Sequence, residues 1–391
     1  MTGSFGLIRT PRIYFGAGES RKLPGVLRSQ GSNILVITGG RSFLDNKGVT
    51  DLMSLLDQEK FTLYHERIGN EPSPEDVDML ASRYRNLELQ AVVAIGGGSV
   101  MDTGKAVSAM LPLESSVREY LEGVGAKSHP GVKRFFVAIP TTSGTGSETT
   151  ANAVLSGSDT RGGFKRSLRH ENLVPDIALV DPVLTVGCPR YTTAASGMDA
   201  FTQLMESYLS LKSGPLTDSL ALDGIRHIHH NLVEACNDGQ NLGAREGMAY
   251  AALLSGITLA NAGLGLIHGF ASSLGAIFDI PHGVICGTMM GTVNRFNIRA
   301  LLDKKIRDKS TEKYVCLGKI FSGREDKEYD WYMRFVADYL DELTNELGLA
   351  RLGEYHVQST DLEKIASATD HKANPVIFER EQLVEMLRAR M

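Results

Sequence analysis

The chain has 391 residues, 42% of them hydrophobic, and a formal net charge of -5. No basic stripe and no block of like charge appears, so nucleic acid is not an expected partner. The length suits about two or three domains, and Cys188, Cys236, Cys286 and Cys316 show no Cys-x-x-Cys pair or disulfide framework, which fits a reducing cytoplasm.

The N-terminal MTGSFGLIRTPRIYFG lacks the charged-then-apolar pattern of a signal peptide. Strand-like apolar runs follow: NILVIT (33–38), FTLYHE (61–66), AVVAIG (91–96), RFFVAIP (134–140) and IALVDP (177–182). Helical periodicity falls between them, as in VTDLMSLLDQE and PEDVDMLASRYRN. Strands alternating with helices predict a mostly parallel sheet covered on both faces. After Asp181 the strand signal stops and helical patterns dominate, as in LDGIRHIHHNLVEAC and YMRFVADYLDELTNEL. The change near Pro182 to Pro189 sets the expected boundary: an α/β dinucleotide-binding domain over 1–187 and an all-helical domain over 188–391.

Between Glu246 and Asp279 there is no Asp, Glu, Lys or Arg. That length passes the membrane-spanning threshold of about 20 residues. The stretch is rich in Gly, Ala and Ser, breaks at Gly263-Leu264-Gly265, and has no flanking cluster of Lys or Arg. It predicts two tightly packed helices inside the helical domain rather than a membrane segment. The charged stretch 303–330 reads as a solvated helix face and loop.

Three loops look suited to a nucleotide. AVVAIGGGSVMDTGKAV (91–107) is a strand, three glycines and a helix start. Glycines admit a phosphate close to the backbone, and a helix start offers free N–H groups. Neither the G-x-G-x-x-G nor the Walker pattern fits, since Met101 and Ala106 stand at required positions. AIPTTSGTGSETT (138–150) again follows a strand and offers the hydroxyls of Thr141, Thr142, Ser143, Thr145 and Ser147. Ligands of parallel sheets collect at the carboxyl ends of strands. The third loop ends NILVIT at Gly39-Gly40-Arg41-Ser42, with no acid until Asp45. An acid there would bind a ribose 2′-hydroxyl, so if a dinucleotide binds its absence favours NADP(H) over NAD(H); a plain glycine turn reads equally well from these residues.

In GMDAFTQLMESY (197–208), Asp199 and Gln203 share a helix face at i, i+4. His268, after the glycine break, and His282, in the turn Pro281-His282-Gly283, could join Asp199 as ligands of a divalent metal with an open position for substrate. Singly, each residue reads as readily as a helix cap or a core histidine.

The chain resembles the iron-containing (group III) alcohol dehydrogenases. The similar elements run nearly end to end: FGAG (15–18), GGGSVMDTGKA (96–106), PTTSGTGSE (140–148), VPDIALVDP (174–182), GMDAFTQLMESY, IHGFASSLGAIFDIPHG (267–283) and ANPVIFEREQLVEML (373–387). The resemblance implies an N-terminal α/β domain, an all-helical C-terminal domain, the architecture shared with dehydroquinate synthase, and a cleft between them. It implies hydride transfer between a nicotinamide cofactor and a small alcohol, aldehyde or ketone. Gly97, Gly98 and Ser99 match the pyrophosphate loop, with Asp102 in the same motif; Thr141, Thr142 and Thr145 match a second cofactor loop. Lys165 matches a cofactor-contacting lysine. Asp199, His268 and His282 match metal ligands for Fe²⁺ or Zn²⁺ and form the expected catalytic centre, and a homodimer is expected by analogy.

Three positions depart from the pattern. Gly39 replaces the family's usual aspartate and, with Gly40 and Ser42, resembles members that use NADP. Gln203 stands where the second metal ligand is usually His, so it is expected with Asp199, His268 and His282 in a retained but weakened metal site, since an amide oxygen is a weaker donor toward Fe²⁺ or Zn²⁺. Ser272 stands where a histidine tied to proton transfer is common. The expected activity is NADPH-linked reduction of a small carbonyl compound, or its reverse. A lyase or cyclase of the dehydroquinate synthase kind, and a metal-free degenerate member, are the alternatives.

Overall fold

The computed structural model describes residues 5–40, 45–69, 71–159, 162–304 and 307–391. Six parallel strands form its sheet: β1 (Arg12–Phe15), β2 (Asn33–Gly39), β3 (Thr62–Ile68), β4 (Ala91–Gly96), β5 (Phe135–Pro140) and β8 (Ile177–Val180), in the spatial order β1-β8-β5-β4-β2-β3. β6 (Asn152–Asp159) and β7 (Gly162–Arg169) pair as a separate antiparallel hairpin. Every strand-like run of the sequence is a strand here. β1 and the β6–β7 hairpin come in addition.

The central strands are apolar on both faces because both faces are covered. Leu35 and Ile37 of β2 pack with α3 (Pro74–Tyr84) and α4 (Gly98–Met110) on one side. Ile34 and Val36 pack on the other with α1 (Leu23–Arg28) and α2 (Lys47–Asp57). The chain moves from β2 outward to β3 and then returns to β4 on β2's opposite side. Loops leaving β2 and β4 therefore diverge, and a crevice opens at their carboxyl ends, where open α/β sheets bind ligands.

From residue 190 on, the described regular elements are helices: α5 (Arg190–Leu209), α6 (Pro215–Asn237), α7 (Leu242–Ala262), α8 (Leu266–Gly275), α9 (His282–Asp303), α10 (Lys309–Ser322), α11 (Tyr329–Leu347), α12 (Leu362–Ala368) and α13 (Arg380–Arg388), with one short 3-10 turn at Leu352–Tyr355. Their shared core includes Met198, Phe201, Ile225, Phe270 and Leu340, all buried. α5 is buried along nearly its whole length after the first turn, polar residues included. That burial makes its polar side chains either mutually satisfied or functional.

The uncharged stretch 247–278 forms most of α7 and then α8, which meet at a bend of 98° across the glycine break. Among the described residues no single helix is long and apolar enough to cross a membrane, although this bent pair reaches the length. The buried face of α7 packs in the helical core and against the nucleotide-type loop of the sheet domain. Gly146 and Gly256 touch backbone to backbone there, and a Cβ on Gly146 would lie 2.4 Å from the Gly256 nitrogen. Gly146 also has φ +62, so glycine is required twice over.

Candidate active site

One cleft, about 490 Å³ in volume, lies between the sheet's carboxyl edge and the helical core. Its sheet-side wall holds Gly97, Gly98, Ser99, Asp102, Thr142, Thr145 and Lys165; its helical wall holds Asp199, Gln203, His268, Ser272 and His282.

On the sheet side, β4 ends at Gly96, Gly97 caps α4 with an extended backbone, and the helix begins at Gly98. A Cβ on Gly98 would lie 2.6 Å from Thr145 Cγ2, so the two cofactor-type loops pack in contact. Thr141 and Ser143 hold buried hydroxyls with no hydrogen-bond partner. Asp102 is bonded within the protein: its carboxylate accepts from Ser147 Oγ at 2.6 Å and from the Val154 backbone N–H at 3.0 Å. It ties α4 to the second loop and to β6. Lys165, on β7, pairs with Glu71 at the cleft wall.

On the helical side, Asp199 lies on α5, His268 in the first turn of α8, and His282 is the first residue of α9. His268 Nε2 lies 3.5 Å and His282 Nε2 3.6 Å from Asp199 Oδ1. Both separations exceed good hydrogen-bond length. Asp199 Oδ1 is buried and has no hydrogen-bond partner. Cys286, one turn along α9 from His282, completes a group of four donor atoms within 4.8 Å of one another.

Glu206 orients this group. Its Oε2 accepts from His268 Nδ1 at 2.7 Å and from the Gly265 backbone N–H at 2.9 Å, while Oε1 accepts from the Ile267 N–H at 2.6 Å. The carboxylate thus satisfies backbone donors at the start of α8, holds the imidazole ring, and turns Nε2 toward Asp199. Burial alone would push the Asp199 carboxyl up, but His282 and His268 beside it hold it below its ordinary value. Burial would lower His268, yet Cys286, Glu206 and Asp199 drive it well above 6.5. Burial pushes His282 down to about 4, with Asp199 opposing only in part. The site therefore favours one positive charge at its centre and keeps the His282 imidazole neutral. A divalent cation matches both conditions.

The family model for iron-containing alcohol dehydrogenase matches residues 10–182, and the model for the C-terminal part of the Fe-containing alcohol dehydrogenase family matches 193–391. The chain belongs to the iron-containing alcohol dehydrogenase family. It is 33% identical over 356 residues to the probable alcohol dehydrogenase EutG of Escherichia coli (strain K12), across 89% of this chain and 85% of that protein. Alcohol dehydrogenase 4 of Saccharomyces cerevisiae (strain ATCC 204508 / S288c) is 29% identical across 99% of each chain. A crystal structure of 1,3-propanediol oxidoreductase superposes with a TM-score of 0.88 at 26% identity, covering 100% of both chains. Sulfoacetaldehyde reductase from Bifidobacterium kashiwanohense, solved in complex with NAD+, gives a TM-score of 0.84 at 25% identity, covering 100% of this chain and 99% of that one. The fold and the enzyme class, oxidoreduction of alcohols and aldehydes, follow from these likenesses.

Most residues singled out in this alcohol dehydrogenase's sequence meet at the cleft, with these differences. Thr141 sits behind its loop, where its backbone N–H donates to the Gly96 carbonyl at 2.9 Å. Gly39 and Gly40 lie at the carboxyl end of β2, away from the cleft-lining set, and Arg41 and Ser42 fall outside the described residues. Gln203 lines the cleft, but its Oε1 accepts from Ser255 Oγ at 2.8 Å. Ser272 is exposed in the cleft, and its hydroxyl donates back to the His268 carbonyl at 2.8 Å.

Sequence reasoning missed Glu206, Cys286, Lys105 and Glu148. Glu206 stands seven residues after Asp199, on the same helix face two turns on, and a ligating histidine commonly gives its other ring N–H to such a carboxylate. Cys286 belongs to no Cys-x-x-Cys pair, and its signal in the sequence is its place four residues after His282. Lys105 is fully buried and donates to the Ser147 carbonyl, Ser147 Oγ, Thr150 Oγ1 and the Asn152 carbonyl at 2.8–3.0 Å. It clasps the second loop to α4, and burial lowers it to about 8.

Proposed function

We propose that this alcohol dehydrogenase is an NADPH-dependent reductase of a small aldehyde or ketone, also running in the alcohol-oxidising direction. The observation that carries the reading is one cleft holding both the glycine loop at Gly97–Ser99 and the Asp199–His268–His282 cluster. Gly97, Gly98 and Ser99 would hold the pyrophosphate at the start of α4. Thr142 and Thr145 would bind neighbouring groups, and Lys165 adds a cation on the same wall. Gly39 and Gly40, with no carboxylate before Asp45, support the phosphorylated form of the cofactor.

Asp199, His268 and His282 fit a divalent ion, Fe²⁺ or Zn²⁺, because they bring one orphaned carboxylate oxygen and two oriented ring nitrogens together without hydrogen-bonding each other at short range. When bound, the nicotinamide supplies hydride and the ion supplies a Lewis acid toward the substrate oxygen. Glu206 fixes the His268 tautomer, and Asp199 is buried on α5 at the cleft wall. Ser272 donates to the His268 carbonyl within its own helix and is exposed in the cleft, so water, the Ser272 hydroxyl and the cofactor's ribose hydroxyl are the groups that can supply the alcohol proton.

In this reading residues 1–187 form the nucleotide domain and 188–391 the metal and substrate domain, the chain works in a reducing cytoplasm, and it assembles as a homodimer. Light scattering tests the last point. The activity test is consumption of NADPH with short aldehydes, compared with NADH at equal concentration. Net oxidation of NADPH is expected and would exclude a lyase that uses the cofactor only transiently. Asp199→Ala should lose turnover while still binding NADPH; turnover retained in that variant would refute the reading, as would tighter binding of NADH for the cofactor preference.

A further inference from the structure

The altered ligand at position 203 raises the question of what else in the site can bind a metal. Gln203 gives its side-chain oxygen to Ser255. Cys286 is fully buried on α9, and its Sγ lies 3.8 Å from His268 Nε2. With Zn–N and Zn–O bonds of about 2.0 Å and Zn–S of about 2.3 Å, a tetrahedral site has edges of about 3.3 Å between N and O donors and about 3.6 Å between S and N. Three of the six donor separations are 3.5, 3.6 and 3.8 Å, and all six are within 4.8 Å. Those three are too long for strong hydrogen bonds and close to the tetrahedral edges. Independently, the buried Asp199 Oδ1 in the same cluster has no partner.

We propose that Cys286 Sγ is the fourth protein ligand of the metal in this chain, in place of Gln203. This rests on the metal-site reading of Asp199, His268 and His282. A thiolate is a soft donor and shifts the preference of the set toward Zn²⁺ and away from harder cations. Binding releases the thiol proton to solvent. With Cys286, the four side chains Asp199, His268, His282 and Cys286 would hold the ion, and the ion would supply Lewis acidity toward a substrate in the cleft.

The test is the absorption spectrum of metal-free protein titrated with Co²⁺. The wild type should bind one ion with a near-ultraviolet thiolate-to-cobalt charge-transfer band beside the visible bands of a low-coordinate ion. Cys286→Ser should bind Co²⁺ without the charge-transfer band, and Gln203→Ala should keep it. If Cys286→Ser does not fold, the other three cysteines changed to serine together give the assignment, because the band must then persist. One Co²⁺ bound by the wild type without that band overturns the thiolate ligand and leaves the three-residue site standing. No Co²⁺ bound at all overturns both. A band that survives Cys286→Ser, or disappears in Gln203→Ala, also overturns the proposal.

Discussion

Changing Glu206 to Gln separates the positioning of the site from its mere presence. The carboxylate accepts from three donors through two oxygens, at 2.6, 2.7 and 2.9 Å. An amide keeps one acceptor oxygen. Its best placement puts that oxygen at the Oε2 position, still facing His268 Nδ1 and the Gly265 N–H. The amide NH₂ then faces the Ile267 N–H, donor against donor. A buried N–H left unpaired costs about 1–3 kcal/mol, so the melting temperature of metal-free protein should fall by roughly a few degrees. The His268 ring also loses its charged partner. Removing such an outer carboxylate weakens metal binding about 10–100-fold, or about 1.4–2.7 kcal/mol at about 1.4 per decade. Competition against a chromogenic chelator at fixed pH measures this. A lowered melting temperature with unchanged metal affinity would refute the reasoning, since Glu206 would then only brace the start of α8.

Gly98→Ala should weaken NADPH binding by at least about tenfold, because its Cβ would lie 2.6 Å from Thr145 Cγ2 and must push that loop aside. Adding Thr145→Ala removes the clashing atoms, and fluorescence titration should then show partial recovery. Lys165→Met should lower NADPH affinity about tenfold or more, as the loss of one charge-assisted contact does; Glu71, left as a carboxylate without its lysine partner on the cleft wall, makes Glu71→Gln in that background partly restorative, as a cofactor titration of both variants would show. Glu148 is buried on the loop clasped by Lys105, and burial raises it to about 7, against opposing effects of its own backbone hydrogen bond and of Lys105. Between about 4.5 and about 7 the unfolded chain holds fewer protons than the folded one, so Glu148's contribution to stability falls as pH rises through that window. Glu148→Gln should flatten the melting temperature against pH there; an unchanged slope would count against it.

The residues that made the fold legible were the continuous apolar runs, such as AVVAIG, which only a strand covered on both faces tolerates. β1 escaped because RIYF is short, at the sheet edge, and half-exposed. The hairpin escaped because NAVLSGSD and GGFKRSLR bury few of their side chains, chiefly Ala153, Leu155, Phe164 and Leu168, among glycines and polar residues. In the site, His268 and His282 read alone as readily as core histidines, and only the resemblance of the motifs around them to the family's pointed to ligands. Glu206 was not legible, since a glutamate near the end of a helix usually faces water, and its burial arises only when α8 folds over it. Gln203 was legible as a substitution, but its turn toward Ser255 depends on how α7 packs on α5.

Asp199, His268 and His282 are proposed to hold one divalent ion in the nucleotide cleft. Anomalous diffraction on crystals of metal-loaded protein, recorded at the metal's absorption edge, tests this most directly. The predicted result is one peak at about 2.0–2.2 Å from Asp199 Oδ1, His268 Nε2 and His282 Nε2. No peak among these three residues at full metal loading, or a peak elsewhere in the chain, would contradict it.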